Sequence, residues 1–318
     1  MTAYLLRRLL SVIPIALGVL LLTFLLFRII GGNPAIRLAG KNATPEKIAQ
    51  ITRERGYDKP YFLNVENFPH QLFDAQFPRL VGRLLRGDFG ESITTRQKVR
   101  DILVEGFWPS LCVTVPLFLL NLTLAIALAL LAAYYRNTWV DRLLVVLSVM
   151  GMSVSSLVYI MVAQYWLAGE WGIFPVWGFE GPQYLLLPVL IGVVAGVGGS
   201  VRFYRTIVLD EMYQDYVRTA RAKGVSPARI LFSHVLRNAL IPILTNVIIA
   251  LPFLYTGSLL LESFFGIPGL GRMLVMAIPN GDEDVIYTET FLGSMLFVLA
   301  NTLTDIAYAW ADPRIRLR

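Results

Sequence analysis

The chain has 318 residues, of which 56% are hydrophobic and only 16% charged, and its apolar residues come in long runs, which excludes an ordinary soluble core. The net charge of +6 comes from short basic segments beside those runs, a membrane-topology pattern rather than a nucleic-acid-binding surface. The single cysteine, Cys112, excludes an intrachain disulfide and a cysteine-based metal site.

The first apolar run, Leu9–Ile30, follows Arg7 and Arg8 in the manner of a signal peptide. No small-residue cleavage site precedes Gly31-Gly32-Asn33-Pro34, so it reads as a retained span. The segment 31–108 reads as a small external cap. Thr44-Pro45-Glu46 is a helix start, with Thr44 as cap and Pro45 in the first turn. Pro60, Pro69 and Pro78 then divide the segment into short pieces, and Tyr57, Tyr61, Phe62, Phe68, Phe73 and Phe77 supply more aromatic surface than a disordered linker carries.

Five further spans follow, Pro109–Ala133, Leu143–Ala168, Tyr184–Val201, Ala239–Leu261 and Ile286–Trp310. Each is long enough to cross about 30 Å of hydrocarbon. Pro14, Pro116, Pro188 and Pro252 lie inside spans, where neighbouring helices can satisfy the freed carbonyls. The fold expected is therefore an all-α polytopic membrane protein with six transmembrane helices: a span at 1–30, a cap at 31–108, and a five-span core at 109–318. Arg136, Arg142, the basic residues of 202–238, and Arg314, Arg316 and Arg318 fall on one side together with Arg7 and Arg8, while the short loops of the other side carry only Arg272. The positive-inside rule then places both termini in the cytoplasm of a multi-pass inner-membrane protein.

Between spans four and five, residues 202–238 are too polar for membrane. Asp210 to Lys223 can form one helix, which Gly224 ends in a left-handed conformation. Ser226 can cap a second helix with Pro227 at its first position, running through Arg229, His234 and Arg237 into span five. The result expected is a helix–glycine–helix elbow.

Asp215-Tyr216-Val217-Arg218-Thr219-Ala220-Arg221-Ala222-Lys223-Gly224, extended by His234-Val235-Leu236-Arg237-Asn238-Ala239-Leu240-Ile241-Pro242, resembles the cytoplasmic signature loop of ATP-driven (ABC) importer permeases, in particular the dipeptide/oligopeptide/nickel branch. The general importer signature begins Glu-Ala-Ala where this chain has Arg218-Thr219-Ala220, again as in the peptide branch. Tyr4-Leu5-Leu6-Arg7-Arg8-Leu9-Leu10, Gly87-Asp88-Phe89-Gly90-Glu91-Ser92, Phe265-Gly266-Ile267-Pro268-Gly269-Leu270-Gly271-Arg272 and Asp312-Pro313-Arg314-Ile315-Arg316 are similar to that branch in the same order. The resemblance implies an importer-type permease fold. It also implies a second homologous permease, two cytoplasmic ATPases and an external substrate-binding protein. No cofactor would reside on this chain, since ATP and magnesium would sit on the partner subunits. The elbow would be the coupling helix docking in an ATPase groove. Ala220 and Ala222 would allow close approach, and Arg218, Arg221 and Lys223 would meet the groove rim.

Each feature also has a plainer reading. The basic elbow could be a set of headgroup anchors. His234 has no second histidine near it and reads as a packing residue, and Gly192-x-x-x-Gly196 reads as a close helix contact. Asp305, expected to be the lone acid deep in a span, reads either as an interhelical hydrogen-bonding group or as part of a gate or pathway. Asn121, Asn246 and Asn301 are open to the same two readings. No Gly-x-x-x-x-Gly-Lys-Ser/Thr, Gly-x-Ser-x-Gly or His-Glu-x-x-His occurs, so no catalytic or metal residue is assigned and an enzyme is not expected. The alternatives are a secondary transporter, a scaffold without transport, or an importer of a non-peptide solute such as a nickel chelate, glutathione or a sugar.

Overall fold

The computed structural model describes residues 2–32, 34–40, 43–64 and 72–311, with the side chains of 2–9 and 305–311 outside the description. Among the described residues the chain is helical, with only an isolated antiparallel bridge between Glu91 and Lys98. In chain order the helices are α1 (Thr2–Phe24), α2 (Pro34–Ala39), α3 (Pro45–Arg55), α4 (Gln76–Leu85), α5 (Val99–Tyr134), α6 (Trp139–Ser153) and α7 (Ser156–Ala163). There follow α8 (Gln183–Met212), α9 (Asp215–Ala222), α10 (Pro227–Arg229), α11 (Leu236–Thr256), α12 (Leu259–Phe265), α13 (Leu270–Asn280) and α14 (Glu283–Ala311). By length and composition 5 helices can cross a membrane, and up to 6 when the bent pair formed by α6 and α7 with its continuation is one span.

The span boundaries differ from expectation where tertiary contacts override composition. Helix α5 begins at Val99, inside the segment read as cap. The third span is not one rod. Val154 is extended, Ser155 caps α7 through its side chain, and the two halves are bent by 85°. Span four continues to Met212. Span five breaks at Gly257 (φ +71). Four prolines expected to be tolerated, Pro14, Pro116, Pro188 and Pro252, do lie inside helices. Pro78 divides nothing, because it occupies the first turn of α4, where a missing N–H costs little.

The chain forms two compact units, Met1–Phe107 with Met273–Thr302, and Trp108–Arg272 with Leu303–Leu317. In the first, Leu20 and Phe24 of α1, Leu80 and Leu84 of α4, and Tyr287 and Phe291 of α14 share a core. Phe24 meets Tyr61, Phe62 and Phe77 edge-on at centroid distances of 6.3, 6.0 and 5.4 Å, a favourable quadrupole arrangement. Thr44 caps α3 by accepting from the Lys47 N–H, as its sequence position requires. Of the aromatic residues expected to build the cap, Tyr61, Phe62 and Phe73 are exposed, and Phe68 lies outside the described residues, as do Pro69 and His70.

Three consecutive acids stand at the start of α14 in this unit, Asp282 just before it and Glu283 and Asp284 in its first turn, and each takes different partners. Asp282 accepts from the Ser92 hydroxyl and the Thr94 N–H. Glu283 lies between Arg28 (3.2 Å) and Arg37 (3.3 Å). Asp284 pairs with Arg83 (3.0 Å) and Arg55 (3.5 Å). Arg28 also stacks on the Tyr57 ring, 4.1 Å from its centroid.

The second unit has two cores. One joins α5, α8, α9 and α11 through Ala125, Ala129, Val201, Tyr204, Val217 and Val235, among others. The other joins α5, α7, α8 and α12 through Val113, Ile160, Leu187, Ile191, Leu261 and Phe265. Small residues set the helix spacing. A side chain at Gly192 would collide with Leu117, and one at Gly198 would lie 2.5 Å from the Ser148 carbonyl oxygen of α6. At Gly196 it would meet only Asn121 at ordinary contact distance. The close approach therefore uses Gly192 and Gly198 rather than the Gly192/Gly196 pair.

Candidate functional site

The elbow is present in the second unit, built from shorter pieces than expected. The helix that was to run from Asp210 is interrupted at Tyr213 and Gln214, and a separate α9 starts at Asp215. Gly224 ends the piece at φ +75, a left-handed conformation that costs a residue with a Cβ about 1 kcal/mol or more. Val225 N–H then reaches back to the Ala220 carbonyl, closing the turn. Ser226 and Pro227 stand at the cap and first positions of α10 as expected, but the Ser226 side chain makes no capping bond. Its backbone carbonyl accepts from Ile230 instead. A π-helical turn, Ile230–Val235, carries the chain without a break into α11.

The two faces of α9 are chemically opposite. Val217 and Ala220, three residues apart, are 0% and 8% exposed and join the core with Val208, Ile230 and Val235. Ala220 therefore faces the permease itself, which corrects the expectation that it is offered outward with Ala222. Asp215, Arg218, Thr219, Arg221, Ala222, Lys223 and Gly224 are exposed. Tyr216 is half-buried and fastens α9 to the end of α8 by donating its hydroxyl proton to Glu211 (2.6 Å). Burial, and next this hydrogen bond to a carboxylate, push its phenol up to about 12. The outward face carries Arg218, Arg221 and Lys223 around a small residue, with Asp215 paired to Arg218 at 3.4 Å; backed by an apolar inward face, it can seat against a complementary acidic or carbonyl-rich groove.

The intramembrane polar residues divide. Asn121 donates to the Ser200 hydroxyl (3.0 Å), and the Asn246 oxygen accepts from the Tyr204 hydroxyl (3.0 Å), so both tie helices together. Asn301 is partly buried in α14, and the Asp305 side chain lies outside the described residues. Asp305 is not the lone acid of the spans, since Glu289 in α14 is 2% exposed and Glu262 in α12 is 0% exposed.

Glu262 holds a site that the sequence reading missed. Its carboxylate accepts from the Ser258 N–H (2.9 Å) and the Arg272 N–H (3.1 Å), while the Ser110 hydroxyl oxygen accepts from the Leu270 N–H (2.8 Å). Arg272 donates to the Gly266 carbonyl (2.8 Å) and its guanidinium lies over Trp177, 4.9 Å from the ring centroid. The loop 266–272 is thus folded around one buried carboxylate. A second missed group is the bidentate pair of Arg205 with Asp141, at 2.8 and 2.9 Å. In both cases the available signal was an acid beside an apolar run, without a visible partner.

Comparison with known proteins adds the following. Residues 125–317 match the family described as binding-protein-dependent transport system inner membrane component, and residues 1–115 match the corresponding N-terminal family. The chain is 35% identical over 318 residues to the glutathione transport system permease protein GsiC of Salmonella typhimurium, covering 100% of both chains. It is 36% identical over 324 residues to the probable peptide ABC transporter permease protein y4tP of Sinorhizobium fredii, covering 99% of this chain and 100% of that one. The GsiC protein of Escherichia coli strain K12 is 34% identical over 318 residues, again with both chains covered at 100%.

Proposed function

The chain belongs to the family of inner membrane components of binding-protein-dependent transport systems, and from that premise we propose that its elbow couples it to separate ATPase subunits in an importer of peptides or peptide-like solutes. As a permease subunit of an importer it provides membrane-spanning helices rather than catalysis. The substrate class rests on relatives whose names specify glutathione and peptide transport. Two ATPases, a second homologous permease and an external binding protein complete the assembly. ATP and magnesium are bound by the ATPases, and both termini face the cytoplasm.

The observation that carries this reading is the two-faced α9. Its apolar side packs through Val217 and Ala220 with Val208 of α8 and with the π-helical turn that runs into α11, so a push on its cationic outer side moves those helices together. A set of headgroup anchors has no need of a rigid, left-handed stop at Gly224.

The test is co-purification of ATPase subunits with the permease, with substrate-stimulated hydrolysis measured in liposomes. Ala222→Glu, on the exposed side, should leave the permease in the membrane, weaken ATPase capture and abolish stimulation by loaded binding protein. Arg229→Ala should do much less. Full capture and full stimulation in Ala222→Glu would overturn the assignment. Cysteines at Thr44 and Ser226 test the orientation. An impermeant reagent should label the first in intact spheroplasts and spare the second, and the opposite pattern would invert the topology.

A further inference from the structure

The cytoplasmic coupling proposed above runs through α8 and α11, which join the elbow directly. A second connection leaves the elbow without using the chain. Where α8 ends, at Tyr213, the guanidinium of Arg136 lies over the tyrosine ring at 4.5 Å from its centroid. Two turns earlier on α8, Arg205 holds Asp141 of α6 through both of its carboxylate oxygens. The Asp141 side chain is 7% exposed and that of Arg205 24%. Asp141 also accepts from the Asn137 N–H (3.1 Å), and Asn137 sits at φ +64. The connection Tyr134–Trp139 is therefore clamped to the last turns of α8 at two points, one of them the residue where the chain turns toward α9.

Above the clamp there is no slack. Gly198 of α8 has no room for a side chain against the Ser148 carbonyl of α6, and Arg202 reaches Met152 at 3.2 Å. Helix α6 then ends at the 85° bend into α7. We propose that Asp141, Arg205 and Arg136 form a strut that carries displacement of the elbow into α6 and its bend. These three are positioning residues for transport that act through α8 and Tyr213, without touching ATPase or substrate. A bidentate Arg–carboxylate pair suits this task because its planar fork resists rotation as well as separation. The proposal rests on the coupling role of the elbow.

Contiguity becomes coupling only if breaking it changes a response, so the experiment reads response rather than abundance. Arg136→Gln, Asp141→Asn, Arg205→Gln and the double Asp141→Asn/Arg205→Gln variant are purified with their co-expressed partner subunits and placed in liposomes. Hydrolysis is measured with and without loaded binding protein, and uptake in parallel. The strut predicts wild-type capture of ATPase in all variants. Arg136→Gln should lower the stimulated-to-basal ratio about three-fold, the scale of one cation–π contact. Asp141→Asn should lower it about ten-fold, with the double variant no worse than the worse single one, as expected for residues that act as a unit. Wild-type ratios in captured Arg136→Gln and Asp141→Asn complexes would overturn the strut. So would failure of both variants to accumulate, which would make the contacts structural only. Ala222→Glu run alongside separates the two readings. If it uncouples while the strut variants do not, the elbow stands and the strut falls. If it too remains coupled, the elbow assignment itself is lost.

Discussion

Gly198 and Gly199 offer a controlled measurement of how tightly α6 and α8 are joined. They are neighbours in one helix, so replacing either by alanine gains the same helix propensity, up to about 1 kcal/mol. Only their surroundings differ. A Cβ at Gly199 would meet nothing within 4 Å, whereas at Gly198 it would lie 2.5 Å from the Ser148 carbonyl oxygen. Ordinary contact begins at 3.4 Å, so the helices must part by about 1 Å, and the obstacle is backbone that cannot rotate away. Overpacking of this kind costs about 1–3 kcal/mol. Because the propensity gain cancels between the two variants, Gly198→Ala should be less stable than Gly199→Ala by that amount, with Gly199→Ala equal to or above wild type. Unfolding of the purified permease in mixed micelles of rising sodium dodecyl sulfate fraction reads the difference. Stabilities of the two variants within about 0.5 kcal/mol of each other would refute the claim that α6 and α8 approach backbone to backbone there, and would weaken the strut with it.

Two further perturbations follow from the elbow and from the buried carboxylate. At Gly224 the added side chain would find open space, so the penalty is conformational alone. Coupling should fall in the order Gly, Asn, Ala, Val, with Ala costing about 1 kcal/mol and Asn less, as read by ATPase capture and stimulated hydrolysis; equal coupling in the Val and Gly proteins would sink the turn argument. Glu262→Gln turns one acceptor toward backbone N–H groups into a donor, at a cost of about 1–3 kcal/mol. The loop 266–272 should become sensitive to added protease while the membrane-inserted amount is unchanged, and an unaltered cleavage pattern would show that the carboxylate does not hold the loop.

The membrane spans were legible because hydrocarbon demands long apolar runs, and the turn at Gly224–Pro227 was legible because backbone chemistry there is local. The breaks were not. Val154–Ser155 and Tyr213–Gln214 contain neither glycine nor proline, while Pro14, Pro109, Pro116, Pro188, Pro242, Pro252 and Pro279 lie inside helices. At Ser155 the local signal is a side-chain cap too common to mark a break by itself, and at Tyr213–Gln214 no side-chain cap marks the restart. The inward turn of Ala220 did leave a trace. Val217 and Ala220 are apolar at a spacing of three among Arg218, Thr219 and Arg221, a buried stripe that could have been read before the structure. Asp141 and Glu262 left only an acid beside an apolar run, with no partner in view, because Asp141 finds its partner 64 positions away and Glu262 is met mostly by backbone groups.

The acid triplet at the start of α14 behaves as a key with three differently cut teeth. Successive residues at a helix start project about 100° apart, so Asp282, Glu283 and Asp284 address the turn at Ser92–Thr94, the pair Arg28 and Arg37, and the pair Arg83 and Arg55 respectively. Shifting these acids by one position, as an insertion or deletion at Gly281 would, presents two of them to a neighbour's partners and leaves the third without its own. For anyone placing an epitope or a reporter in this protein, the buried junction between α13 and α14 is therefore a forbidden site. A change of length there should be harder to accept than many changes of residue.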